Sequence, residues 1–145
     1  MTNKWHARFL DMAKLVSTWS KDSTQVGAVI VRGKHILTTG YNGFPAKLND
    51  DPARIADRQT KLKYTVHAEM NAILQATQHG LNLTGATLYV YGLPPCVECA
   101  KHIVASGISE VHYVVCGTPN HDWADSQRFV HDMFKEAGIY CARNV

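Results

Sequence analysis

From residue 86 onward the sequence alternates between short runs of β-branched and aromatic residues and longer helix-like stretches stopped by glycine. The run 86–91 reads as a strand, and 95–106 as a helix ended by Gly107. A second strand follows over 111–116. A helix from about Trp123 then carries Phe129, Val130, Met133, Phe134 and Ala137 and stops at Gly138, with 139–141 as a short last strand. Neighbouring strands joined through helices favour βαβ units, so this half of the chain predicts a sheet with helices on both faces.

The first half is less regular. Trp5, Phe9, Met12, Ala13 and Val16 share one helical face, and the polar run 20–24 ends that helix. Residues 25–31 and 35–41 read as two strands joined by the turn 32–34, a β-hairpin. Residues 42–64 are rich in Gly, Pro, Asn and Asp with little periodicity, apart from a short helix over 53–56. A loop that long is expected to be functional or poorly ordered. A further helix runs from about His67 to His79 and stops at Gly80.

With 145 residues, 46% of them hydrophobic, the chain can bury the core of one domain spanning 1–145. It shows neither a signal-peptide pattern nor an apolar run long enough to cross a bilayer, so the expectation is a cytoplasmic protein with no membrane partner. A core of this size needs no disulfides, which leaves its four cysteines for metal binding or as free thiols. The net charge of +3 is too small to predict nucleic-acid binding. Residues 1–63 nevertheless hold 11 of the 15 Lys and Arg, enough either to meet the phosphate of a small substrate or to form an ordinary solvated surface.

Cys96 and Cys99 sit three apart at the start of a predicted helix, which places both thiols on one face of its first turn. The helix N-terminus favours the thiolate, the form that binds metal. Alone, such a pair also suits a redox couple, half of a structural zinc site, or two core thiols. His67 opens another predicted helix. If the two helix starts lie side by side, His67, Cys96 and Cys99 make a three-ligand site with an open fourth position, as catalytic zinc requires. Cys116 and Cys141 lie in or near apolar strands, where a buried free thiol is the ordinary outcome. His102 is at the wrong helical angle to join. Two residues along a helix turn a side chain by about 200°, so Glu69 does not share the face of His67. It can stand beyond the metal beside the attacked atom, or simply be a favourable acid in the first helical turn.

His67-Ala68-Glu69 followed by Pro95-Cys96-Val97-Glu98-Cys99 resembles the signature of the zinc nucleobase deaminases. Ser20-Lys21-Asp22, the run 25–31, Gly40-Tyr41-Asn42-Gly43-Phe44-Pro45 and Val66 to Ile73 narrow the resemblance to the deoxycytidylate deaminases, in particular their short phage and bacterial forms. The resemblance implies an α/β fold of the cytidine-deaminase type, three layers around a mixed five-stranded sheet. It implies Zn2+ held by His67, Cys96 and Cys99, and Glu69 moving a proton from water to the cytosine ring and then to the departing amine. The implied reaction is hydrolysis of dCMP to dUMP and ammonia. A homo-hexamer activated by dCTP and inhibited by dTTP is also implied, with Mg2+ on the bound triphosphate.

Asn42 is the expected partner of the deoxyribose hydroxyl, and Lys21 and Ser23 of the 5′-phosphate. Gly40 and Gly43 would let backbone N–H groups approach the sugar or phosphate, although a tight turn after a strand explains them as well. Gly43, Phe44, Asp50 and Asp51 are the expected effector positions; adjacent aspartates in a polar loop are otherwise solvated residues. Larger family members hold a second zinc in an insert, but residues 49–64 contain neither Cys nor His, so one zinc per chain is expected. Where some members carry a tyrosine before a His-Asp pair, this chain has Asn120 before His121 and Asp122. Two other readings compete: a tRNA adenosine deaminase on the same scaffold, and a zinc-stabilised interaction module without catalysis.

Overall fold

Phe9, Leu10, Ala13 and Val16 form the buried face of helix α1 (Asn3–Ser17), the helix expected from their spacing. The computed structural model describes residues 3–118 and 121–145. The hairpin also forms: β1 (Gly27–Arg32) pairs antiparallel with β2 (His35–Tyr41), and Gly33 supplies the positive φ of the turn. Strand β3 (Thr87–Gly92) joins the other edge of β1, antiparallel to it. Strands β4 (Glu110–Val115) and β5 (Tyr140–Arg143) continue outward in parallel, giving the order β2-β1-β3-β4-β5.

Residues of alternating parity in the central strands face opposite layers, so nearly all of β1 is buried. Val29, Val31 and Tyr89 pack beneath α1. Ala28, Ile30, Leu88 and Val90 face the other way, onto α4 (Ala68–Gln78), α5 (Val97–Ser106) and α6 (His121–Ala137). The layers are unequal, because among the described helices α1 alone packs on its side of the sheet. At its N-terminal end His6 stacks on His112 of β4 at 4.0 Å between ring centroids and meets the Tyr89 hydroxyl at 2.8 Å.

The segment after β2 departs from the sequence reading. The short helix expected over 53–56 forms as α2 (Pro52–Ala56), and a second helix, α3 (Arg58–Tyr64), stands where loop was expected. Asp51 caps the first, accepting the Ala53 N–H at 2.8 Å, with Pro52 opening the first turn. Neither helix buries a residue, which is why neither leaves an apolar periodicity in the sequence.

The glycines of the segment 40–45 also act differently from expectation. A Cβ on Gly40 would collide with the Ala68 carbonyl and the Ala72 amide, so this glycine lets the first turns of α4 rest directly on β2. Gly43 spends its N–H on the Val66 carbonyl at 3.1 Å and accepts the Val66 N–H at 2.9 Å. Both glycines thus position the start of α4.

Candidate active site

His67 and Cys96 are the N-caps of α4 and α5, each with extended backbone, so two helix starts face one another near the end of β3. The Nδ1 atom of His67 lies 3.4 Å from the Sγ of Cys96 and 3.4 Å from that of Cys99. The Cys99 N–H points at the Cys96 sulfur, also at 3.4 Å. Tetrahedral zinc with bonds of about 2.0–2.1 Å to nitrogen and about 2.3 Å to sulfur sets N···S edges of about 3.5 Å, so this donor set fits that ion. The side-by-side helix starts that a three-ligand site needs are therefore present.

Electrostatics favour the same outcome. A hydrogen bond with Cys99 and the neighbouring His67 bring the Cys96 thiol down to about 4, against the cost of its burial. The same bond, together with burial, pushes the Cys99 thiol up. The bond to Cys96 raises His67 as well. The two sulfurs thus hold one proton between them, and a metal cation would displace it.

Glu69, 4% exposed, lies in the first turn of α4 with its carboxylate in hydrogen-bond reach of the Cys99 thiol. Burial raises its pKa, the shift expected of a carboxyl group that must both take up and release a proton. Glu69 and His67 open into a cleft of about 590 Å3. Its walls come from Thr24, Val26 and Asn42, from Arg58, Lys61 and Leu62 of the α3 segment, from Leu93, Pro94 and Cys116 just past the ends of β3 and β4, and from Trp123 of α6. Cys116 is exposed there, contrary to the expected buried thiol, because it follows the last residue of β4 and leaves the sheet. His102 is exposed and its Nδ1 is engaged with the Glu98 carbonyl oxygen, away from the cluster.

The other expected positions divide. Asn42 lines the cleft, but its amide also holds the fold: Oδ1 accepts the Val26 N–H at 2.9 Å and Nδ2 donates to the Thr24 carbonyl at 2.7 Å. Ser23 is exposed, and its neighbours Asp22 and Thr24 line the cleft in its place. Lys21 is paired with Asp50 at 2.5 Å and faces an adjoining cavity of about 130 Å3, lined also by Trp19, Tyr41, Gly43 and Phe44. Asp51 is occupied in capping α2. Asn120 lies outside the described residues. Sequence reasoning missed Arg58 and Lys61, whose one-turn spacing was a signal hidden in a segment read as loop, and Trp123, read only as the start of a helix.

Known proteins place this site. Residues 3–115 match the family model for the cytidine and deoxycytidylate deaminase zinc-binding region. The chain belongs to that family. It is 41% identical over 144 residues to an uncharacterized deaminase encoded 3′ of luxG in Aliivibrio fischeri, covering 96% of this chain and 92% of that protein. Human deoxycytidylate deaminase is 37% identical over 137 residues, with 90% of this chain and 75% of the human protein covered. The crystal structure of dCMP deaminase from cyanophage S-TIM5 in complex with dCMP and dUMP superposes with a TM-score of 0.77 over 99% of each chain, at 22% identity, and shares the fold. The deaminase family thus accounts for the mixed sheet, and His67, Cys96 and Cys99 form a cluster that could hold its zinc. Among the described residues no helix is long and apolar enough to cross a membrane.

Proposed function

We propose that this chain hydrolyses dCMP to dUMP and ammonia, a step that supplies dUMP for thymidylate synthesis. The observation that carries the reading is the buried Glu69 beside the His67, Cys96 and Cys99 cluster at the floor of a nucleotide-sized cleft. The relatives support the choice of substrate, since the human protein and the phage T2 protein, 34% identical over 170 residues, are both deoxycytidylate deaminases.

His67, Cys96 and Cys99 would hold one zinc ion per chain, which when bound acidifies a water and makes a nucleophile available near neutral pH. Glu69 takes up one proton from the attacking water and delivers it to N3 of the cytosine, then passes a second, from the new C4 hydroxyl, to the exocyclic amine as its bond to C4 breaks. Its burial keeps the carboxyl protonatable. Leu93, Pro94 and Trp123 give the ring apolar walls. Asn42 keeps one N–H and one lone pair beyond its two backbone bonds, which would serve the deoxyribose hydroxyl.

The reading extends to control. The adjoining cavity combines Trp19, Tyr41 and Phe44 with Lys21, Gly43 and Asp50, and shares Asn42 and Lys61 with the cleft. Aromatic rings suit a base, and Lys21 suits a phosphate. This cavity is where dCTP as activator and dTTP as inhibitor would act, with Mg2+ on the triphosphate. The proposed assembly is a homo-hexamer in the cytoplasm, that of the host if the chain is phage-encoded.

The test is deamination by the purified, zinc-loaded protein of dCMP, dCTP, deoxycytidine and an anticodon stem-loop RNA, with dCTP or dTTP added where it is not the substrate. Turnover of dCMP, raised by dCTP and lowered by dTTP, is the expected result. Activity on the RNA alone, or none with zinc bound, would overturn the substrate assignment.

A further inference from the structure

We infer that Arg58 and Lys61 form the anion subsite of the cleft and make the enzyme specific for nucleoside 5′-monophosphates over nucleosides. The inference rests on the deamination reading above and replaces Lys21 and Ser23 as the expected phosphate partners. Arg58 and Lys61 are one turn apart on α3, so both side chains leave the same face, and both line the cleft that contains Glu69 and His67. Lys21 and Ser23 do not line it.

The charges are set for a ligand. Lys61 is mostly buried and is held by Asp22, also mostly buried, at a long 3.4 Å. Arg58 has no carboxylate partner among the described residues, and its guanidinium offers the forked geometry that grips a phosphate through two N–H groups. Asp22 and Lys61 cancel, which leaves the Arg58 charge and a lysine able to exchange its long contact for a phosphate oxygen. The net single positive charge of this set offsets half the charge of one phosphate dianion and a smaller share of a triphosphate. With the cytosine ring placed over Glu69, the α3 wall is left for the other end of the nucleotide.

The position of α3 supports the same role. The helix ends at Tyr64 and leads through Val66, bonded to Gly43, directly into His67. A phosphate held on α3 is thus coupled to the metal ligand by a short, tethered stretch of backbone, which places the substrate relative to the reacting atoms.

The experiment compares dCMP and deoxycytidine on the zinc-loaded protein and on Arg58→Ala, Arg58→Lys and Lys61→Ala, with Lys63→Ala as a control for loss of an exposed charge on the same helix. For Arg58→Ala, kcat/KM for dCMP is expected to fall about 10- to 100-fold, mainly through KM. Deoxycytidine should change less than about threefold, Arg58→Lys should recover part of the loss, and Lys63→Ala should match the wild type. Calorimetric binding of dUMP against deoxyuridine supplies a readout that needs no turnover. An equal loss for nucleotide and nucleoside, or no loss for dUMP binding, would overturn the subsite. A wild-type protein that binds dUMP through Arg58 yet leaves dCMP intact would instead overturn the reaction assignment and keep the subsite.

Discussion

At the scale of single residues, Glu69 and Asn42 are both buried polar groups, and each carries a cost that its function explains. Glu69 sits where burial disfavours its charge, so replacing it with the neutral isostere removes a strain on the fold while removing the proton carrier. Glu69→Gln is expected to lower kcat by about 1000-fold or more, with zinc content by mass spectrometry unchanged and a thermal midpoint no lower than that of the wild type. A coupled loss of zinc would show that Glu69 helps hold the ligands. Asn42 is the opposite case, a polar group tied to the backbone through one accepted and one donated bond. Asn42→Ala would leave the Val26 N–H and the Thr24 carbonyl without partners and should cost about 2–4 kcal/mol in urea unfolding. The sequence assigns this side chain to the substrate alone, because nothing in a Gly-Tyr-Asn-Gly run reveals that its amide bridges back to the strand before it.

At the scale of elements, α4 matters most because it carries both His67 and Glu69. Its seat on β2 depends on the missing side chain at Gly40. Gly40→Ala is expected to cost about 3 kcal/mol or more and to lower zinc affinity, measured by competition with a chelator, since α4 cannot shift without moving His67. Elements that bury a continuous face were readable in advance: α1 from Trp5 to Val16, the hairpin, and the later strands and helices. Helix α2 was read in part, over 53–56, but α3 was not, because it exposes its sides and its only marker is Asp57. The cluster of His67, Cys96 and Cys99 was legible as a possibility, on the condition, met by the structure, that two helix starts lie side by side. The cleft wall was not, because Arg58 and Lys61 enter it only through the packing of a helix that has no hydrophobic signature.

At the scale of the whole molecule, the unequal layers leave a polar cluster between α1 and the outer parallel strands. Burial, and then the neighbouring His112, hold His6 below its ordinary value of 6.5, while Glu110 opposes the shift. A histidine with a lowered folded pKa contributes stability that is complete above about 6.5 and is lost as pH falls through its lower folded value. The urea midpoint is therefore expected to drop between pH 7.5 and 5.5, and His6→Gln should flatten that part of the decline; an unchanged slope would assign it to other groups. The order of strands also sets a timetable for assembly. The β1–β2 hairpin can form as soon as it leaves the ribosome, but β3 must pass by β2 and join the far edge of β1 before Cys96 meets His67, 29 positions earlier in the chain. A nascent chain halted before Cys96 offers zinc one ligand of three, so the ion is expected to arrive late, filling a finished pocket instead of guiding the fold toward it.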